Sequence, residues 1–366
     1  MGSLSRLNHY FWRYKHLFVP GVLFVTISAG FQISVPRVVR QAVDGIPRFV
    51  SLHSLFDATP AQPALFEYLF TSLLLFLGAI AGLTLLAGGF LFLTRQTLVV
   101  ASRHIEYDLR NTFYEHLQTL SPRFYQDYST GDVITRATDD IEKVRRYIGP
   151  AIMYSTRSIV MVVIAVSVMF VISPKLTLYA VIPMPFLAIS VFFLSRMVHR
   201  RSDKVQQQYS ALTSRVQEAL SGIRVLKAYT REPREQERFN EESETYKTRT
   251  LDLALVDAGW RPVFLILVGL STLLVVWVGG RLVAQGTITV GNIVEYILYV
   301  NFMTWPVASM GFVITMIQRA SASVIRLHEI LDTEPTIADG PQTDETITDL
   351  TGSLAFENVS FRYTDE

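Results

Sequence analysis

Apolar positions along this chain fall into two patterns. The first is a set of long, nearly uncharged runs, at about 17–39, 69–93, 148–172, 176–197, 253–278 and 292–317. Each is close to the roughly 20 residues that a helix needs to cross the hydrocarbon of a bilayer. The second pattern is amphipathic. Between the second and third runs, Ile105, Leu109, Phe113, Leu117 and Leu120 recur at steps of three and four, and Ile134, Ala137, Ile141, Val144 and Ile148 repeat the spacing on the way back. Between the fourth and fifth runs, Val205, Tyr209, Leu212, Val216, Leu220, Ile223 and Leu226 do the same. Such spacing draws one apolar stripe down a helix. It predicts an all-α membrane protein in which six long transmembrane helices continue into water as two polar helical hairpins, 95–147 and 198–252.

Prolines and glycines punctuate this plan. Pro122 and Gly131 bracket a short element joining the arms of the first hairpin, and the stripe of the second stops near Pro233, which cannot continue a helix without losing a hydrogen bond. Pro183 and Pro185 should disturb the fourth run. Asp44-Gly45, Pro47, Pro60 and Pro63 mark 44–66 as a loop with little helix potential. Gly78 and Gly82 have the GxxxG spacing that permits close helix contact, read here as ordinary packing inside one bundle. Residues 1–16 mix cations with aromatics, which suits an interfacial helix with Trp12 and Tyr14 at headgroup level. At the other end, 333–353 is a polar linker, and Leu354-Ala-Phe-Glu-Asn-Val-Ser-Phe-Arg-Tyr363 alternates like a strand.

Charge adds direction. Of 366 residues, 18% are charged, below the quarter or so usual for soluble domains, and the net charge of +1 gives no argument for a nucleic-acid partner. Lys and Arg number eight in 95–147 and twelve in 196–252, against one each in the intervening loops 44–66, 173–175 and 279–291. The positive-inside rule then places both hairpins and both termini in the cytoplasm, and the expected location is a bacterial inner membrane. There is no cysteine, hence no disulfide or thiolate site. Histidines are scattered; after His328-Glu329 the place for a second zinc-binding histidine holds Asp332, so no metal site is expected. Two residues of the last run are candidate cavity groups. Glu295 is a carboxylate near membrane depth, which is costly unless it faces a cavity or a partner, though it could equally be interfacial and solvated. Trp305, before Pro306, could line a cavity or face lipid.

Four segments carry a resemblance. They are Phe124-Tyr-Gln-Asp-Tyr-Ser-Thr-Gly-Asp-Val-Ile-Thr-Arg-Ala-Thr-Asp-Asp-Ile141, Glu218-Ala-Leu-Ser-Gly-Ile-Arg-Val-Leu-Lys-Ala-Tyr-Thr-Arg-Glu232, Gly279-Gly-Arg-Leu-Val-Ala-Gln-Gly-Thr-Ile-Thr-Val-Gly291 and Gly352-Ser-Leu-Ala-Phe-Glu-Asn-Val-Ser-Phe-Arg-Tyr363. In this order and spacing the chain resembles the transmembrane half of an ATP-binding cassette (ABC) exporter of the six-helix kind. The regions are then an elbow helix (1–16), the transmembrane domain (17–332), a linker (333–353) and the first strand of a truncated nucleotide-binding domain (354–366). The resemblance implies a second transmembrane half, as homodimer or heterodimer, and nucleotide-binding domains as partners, with membrane lipids around them. It implies coupling helices at the hairpin ends, with Phe124, Tyr125, Gln126 and Asp127 in the first. In the second, expected as a short helix over Ala228–Arg234, the coupling residues are Ala228, Tyr229, Thr230 and Arg231. Tyr363 would stack on adenine.

The implied activity is ATP-driven export of a hydrophobic or amphipathic substrate, lipid or drug-like, by alternating access, with ATP and Mg2+ as cofactors of the full-length protein. None of the twenty glycines is followed by lysine, so the phosphate loop Gly-x-x-x-x-Gly-Lys-Ser/Thr is missing and this chain alone should not hydrolyse ATP. The alternatives are a channel or secondary transporter that uses no ATP, and a non-transporting membrane scaffold. The first would want several charges at the bilayer midplane, and the runs hold few.

Overall fold

The computed structural model describes residues 2–55, 62–336, 352–353 and 355–361. A short 3-10 turn, Gly2–Leu7, leads into helix α1 (Asn8–Arg13), and the chain bends at Tyr14 into α2 (Lys15–Leu55). Helix α3 (Gln62–Thr94) passes through a π-helical turn at Arg95–Val99 into α4 (Val100–Thr119). Then come α5 (Pro122–Asp127), α6 (Thr130–Thr135), α7 (Ile141–Arg146) and α8 (Ile152–Ile172), the last three joined by π-helical turns at Arg136–Asp140 and Tyr147–Ala151. Helices α9 (Pro174–Val181), α10 (Pro183–Ser221), α11 (Ile223–Ala228), α12 (Glu232–Ala284) and α13 (Val290–Leu331) follow. Taken across their π turns and bends, these make six helical rods long and apolar enough to span a membrane. The 53 residues of α12 reach roughly 80 Å at 1.5 Å per residue, more than twice the hydrocarbon thickness. The chain is a multi-pass integral membrane protein.

Prolines shape these rods by position. Pro174 opens α9 behind Ser173, whose Oγ accepts from the Leu176 N–H at 3.3 Å, and Pro183 opens α10 after a break at Ile182. Both sit where a missing N–H costs nothing. Pro47 does not end α2, and the segment read as a loop over 44–66 is helical to Leu55 and again from Gln62. One lost hydrogen bond is tolerated there because α2 and α3 run as a hairpin, with Phe49 against Tyr68 (ring centroids 5.9 Å apart) beyond the membrane, and packing outweighs local propensity. Among the described residues there is no β-strand. Residues 355–361 do not form the one read over 354–366, since a strand needs a neighbour to complete its hydrogen bonds.

Two cores hold the rods together, and α13 belongs to both. At membrane depth it contributes Tyr296, Tyr299, Val300 and Met303 to a core with Ala29 and Ile33 of α2, Met161, Ala165 and Met169 of α8, Leu187 and Val191 of α10, and Val275 and Val278 of α12. Lipid tails are as apolar as these side chains, so packing and hydrogen bonds must carry the contact. Tyr296 donates from its hydroxyl to the carbonyls of Met169 and Ser173 and also meets Thr177 Oγ1 at 3.0 Å. On the hairpin side α13 contributes Val324, Leu327 and Ile330 to a core with Leu7, Ile105, Leu109, Phe113, Phe124, Ile141, Val144 and Ile148. Water surrounds this second core, so each fully buried Leu, Ile or Phe there gains about 1.5–3 kcal/mol of hydrophobic stabilisation.

The second hairpin, the part of α10–α12 over 198–252, stands apart. Its helices are tied by Arg201–Asp252 (2.7 Å), Arg215–Glu235 (3.2 Å) and Gln208 to the Glu242 carbonyl (3.2 Å). Among the described residues no hydrophobic side chain from 192 to 274 is buried, and Leu220 and Val225 of the amphipathic stretch are exposed. The Gly78 and Gly82 face of α3 is also open: a Cβ added to either glycine would meet no neighbouring atom within 4 Å, which corrects its reading as packing inside one bundle. The contrast between the cores predicts different costs for truncation. Phe113→Ala, in the water-surrounded core, should destabilise the purified protein by about 3–5 kcal/mol. Leu85→Ala on the exposed face of α3 should stay within about 0.5 kcal/mol. Denaturant unfolding in detergent checks both.

Candidate functional site

The end of the first hairpin is built on one buried anchor. The chain leaves α4 through Leu120 in extended conformation and enters α5 through extended Ser121, with Pro122 at the first helical position. Phe124 is buried, stacked on Tyr128 (centroids 4.6 Å, planes 22° apart) and edge-on to Tyr125 (5.2 Å, 89°). Anchored in this way, the short helix turns Tyr125, Gln126 and Asp127 to solvent. The Tyr125 hydroxyl donates to the Leu117 carbonyl at 2.6 Å, pinning the ring to the last turn of α4.

Arg136 connects this end to α13. Its side chain is nearly buried and reaches Asp132 (3.0 Å), Glu329 (2.9 Å) and the Arg326 carbonyl (2.6 Å), while its guanidinium lies 5.5 Å from the Tyr128 ring centre. One turn along, buried Asp140 accepts from Arg326 (2.6 Å and 2.8 Å), Ser323 (2.9 Å) and Lys143 (3.1 Å). Burial alone would raise the Asp140 pKa. Hydrogen bonds from Arg326, Lys143 and Ser323 outweigh it and hold the carboxyl down at about 2, so the group is a carboxylate at neutral pH. Both residues lie in the π-helical turn Arg136–Asp140, whose extra residue re-aims side chains within an otherwise regular rod.

The second hairpin ends differently from the expected short helix over Ala228–Arg234. The helix is α11, Ile223–Ala228, set off from α10 only by Gly222. Ala228 is its last residue, Tyr229 and Thr230 form a tight turn, and α12 starts at Glu232 with Pro233 in its first turn. Pro233 opens a helix here, because its missing N–H falls among donors that have no helical partner anyway. Thr230 has φ of 49°, a left-handed conformation that is an outlier for a β-branched residue. The Arg231 N–H bonds back to the Leu226 carbonyl at 3.0 Å and closes the turn. Tyr229, Thr230 and Arg231 are exposed. Behind them a cavity of about 740 Å³ lies between the arms, lined among others by Arg215, Gly222, Tyr229 and Arg238.

Glu295 and Trp305 do not share a site. Glu295 is fully buried near the first turn of α13, where it meets Arg40 (3.2 Å), Asn292 (3.3 Å) and the Tyr299 hydroxyl (2.9 Å). Asp44 accepts from the Gly291 N–H (2.8 Å) and Thr289 (2.7 Å) beside it. Trp305 is exposed, at 71%. A cavity of about 350 Å³ does lie at membrane depth, between α2, α3, α8 and α13, lined by apolar and small polar side chains that include Ser28, Thr84, Gly88 and Phe302. Its polar centre is Arg157, which donates to Gln32 at 3.1 Å. Among the described residues no carboxylate forms an ion pair with it. Sequence reasoning passed over Arg157, although a single cation inside an apolar run is a functional signal in itself. Tyr363 lies outside the described residues. Among the described residues no three His, Asp or Glu side chains gather as a metal site.

Residues 18–307 match the family model of the ABC transporter transmembrane region. The chain is 30% identical to the uncharacterized ABC transporter ATP-binding protein YknU of Bacillus subtilis, over the whole chain and 59% of that protein. It is 34% identical to the probable multidrug resistance ABC transporter ATP-binding/permease protein YheI of the same organism, over 70% of the chain and 43% of the relative. It is 28% identical to the multidrug resistance-like ATP-binding protein MdlA of Escherichia coli, over 93% of the chain and 55% of the relative. The chain thus spans about half the length of these relatives. Six membrane-crossing rods, two helical hairpins beyond them and a family match across most of the chain lead to one assignment: this protein belongs to the ABC transporter transmembrane family.

Proposed function

We propose that this chain is the transmembrane half of an ATP-driven exporter that moves a hydrophobic or amphipathic substrate by alternating access. The observation that carries the reading is the pair of exposed tips, Tyr125–Asp127 and Tyr229–Arg231, each held at the end of a helical hairpin continuous with membrane-crossing rods. In this reading the tips dock on nucleotide-binding domains, the hairpins and both termini are cytoplasmic, and the membrane is a bacterial inner membrane. The cation excess of the hairpins supports that orientation.

ATP and Mg2+, held by nucleotide-binding domains, supply the closing force. The described residues of this chain offer neither a phosphate loop nor a metal cluster for them. What this chain supplies is transmission. Movement at Phe124 is passed through Tyr128 and Arg136 to Glu329 and the Arg326 backbone of α13, which continues without a break into the membrane core. A second transmembrane half would cover the exposed stripe of α10 and the open glycine face of α3. The names of YheI and MdlA support a drug-like substrate class. The cavity at Arg157 supports an amphipathic one, because a lone arginine among apolar walls suits a molecule with one anionic group.

In the full-length protein reconstituted in liposomes, Tyr125→Ala or Tyr229→Ala should reduce transport more than ATP hydrolysis; transport and substrate-stimulated ATPase both at wild-type level would refute the coupling assignment. Arg157→Gln should weaken transport of anionic amphiphiles relative to neutral ones, and Arg157→Lys should restore part of it, read in competitive uptake assays. Arg326→Gln leaves the buried Asp140 carboxylate with Lys143 and Ser323 as its remaining donors and should cost about 1.5–3 kcal/mol of stability. Because the folded-state pKa of Asp140 is depressed, its contribution is complete above about pH 4 and is lost as pH falls toward 2. Acid unfolding of Asp140→Asn should therefore be less steep across that window than that of the wild type.

A further inference from the structure

Where α10 and α12 leave the membrane, a second cup lies between them. It holds about 340 Å³ and is lined by Met197, Arg200, Arg201, Lys204, Arg249 and Asp252. Four cations face one carboxylate. Arg201 is paired with Asp252 at 2.7 Å, and Arg249 reaches across to donate to the Lys204 carbonyl at 3.1 Å. No carboxylate within ion-pair distance neutralises Arg200, Lys204 or Arg249 among the described residues. Loops facing the positive side of a membrane protein collect cations in general. Here, however, the cations come from two different helices and converge on one concave site, with Arg201 and Arg249 half-buried.

Depth identifies the occupant. The apolar run of α10 ends at Met197 and that of α12 begins at 253. Arg200 to Lys204 therefore sit roughly 5–10 Å beyond the hydrocarbon edge at 1.5 Å per residue, which is the headgroup layer. On the membrane side the same face turns apolar, with Phe193 four residues before Met197 and Leu255 three residues after Asp252, both exposed. A ligand that fills the cup and continues along this face carries an anionic phosphate below acyl chains. Basic pockets between transmembrane helices at this depth have that chemistry. We infer that the cup binds the phosphate headgroup of an anionic phospholipid from the leaflet facing the hairpins. Lys and Arg supply the charge, and the donors of Arg200 and Arg249 match phosphate oxygens. This inference rests on the membrane placement of the helices alone and is independent of the transported substrate.

The test is native mass spectrometry of the full-length protein loaded with equal amounts of phosphatidylglycerol and phosphatidylcholine. The wild type should retain phosphatidylglycerol preferentially. The triple variant Arg200→Gln, Lys204→Gln, Arg249→Gln should lose that preference, at about five-fold per cation removed, with phosphatidylcholine unchanged. Asp252→Asn should act in the opposite direction and raise retention, a gain that misfolding does not produce. The variant Arg224→Gln, Lys227→Gln, Arg234→Gln removes the same charge from the hairpin tip and should leave retention intact. Equal loss in both triple variants, or no gain in Asp252→Asn, would overturn the assignment. So would displacement of the lipid by inorganic phosphate alone, which would make the cup a site for free phosphate.

Discussion

The structure depends on one constraint: α13 must bury a face in two different solvents. Over its membrane-spanning part the surrounding medium is hydrocarbon, and the contact with α2, α8 and α12 rests on close packing and on hydrogen bonds from Tyr296 and Tyr299. Beyond the membrane the medium is water, and Val324, Leu327 and Ile330 are held by the hydrophobic effect against α4 and α7. Between Val313 and Ala320 no residue of α13 is buried. The two grips are thus separated by an open stretch of uninterrupted helix.

The ion clusters on the hairpin side serve this arrangement. Arg136 and Asp140 emerge from one π-helical turn, and both engage the last turns of α13. The elbow adds further ties, with Arg6 paired to Asp332 (2.6 Å) and the Tyr14 hydroxyl on Asp108 (2.8 Å). These groups fix the register between the first hairpin and α13, while the exposed pairs among them add little stability of their own. At the opposite end of α13, Arg40–Glu295 and Asp44 with the Gly291 N–H fasten it to α2. Among the described residues, the second hairpin beyond the membrane has no comparable ion-pair attachment to the other helices. Its apolar stripe is only partly covered: Tyr209 packs on Tyr246 (ring centroids 6.0 Å apart), while Val216, Leu220 and Ile223 stay exposed.

Much of this was legible in the sequence, and the reason is physical. A membrane-crossing helix must be apolar for about 20 residues and must satisfy its own backbone, so six apolar runs imply six rods. Steps of three and four in Ile105–Leu120 and Ile134–Ile148 mark the face that a helix buries in water, and these residues did form the hairpin-side core, apart from exposed Ile134. Phe124, read with Tyr125–Asp127 as a coupling residue, is instead buried, while Tyr125 and Tyr229 of the two hairpin ends are exposed.

Other features were settled only by contacts between distant segments. Pro47 reads as a helix breaker, yet α2 continues because α3 packs alongside it. Pro233 reads as a stop, yet it begins α12, since the turn geometry at Thr230 decides which side of a proline is helical. Glu295 and Arg157 are each one charge in an apolar run, indistinguishable by local pattern. Folding gives Glu295 the Arg40 guanidinium and buries it, and it sets Arg157 against Gln32 beside a cavity, with no carboxylate in ion-pair reach among the described residues. The sequence by itself determined how many helices cross the membrane and which of their faces are apolar, because solvent dictates both. Tertiary structure decided which charges are neutralised and which remain available, because a partner 255 residues away in Arg40–Glu295 leaves no trace in local spacing.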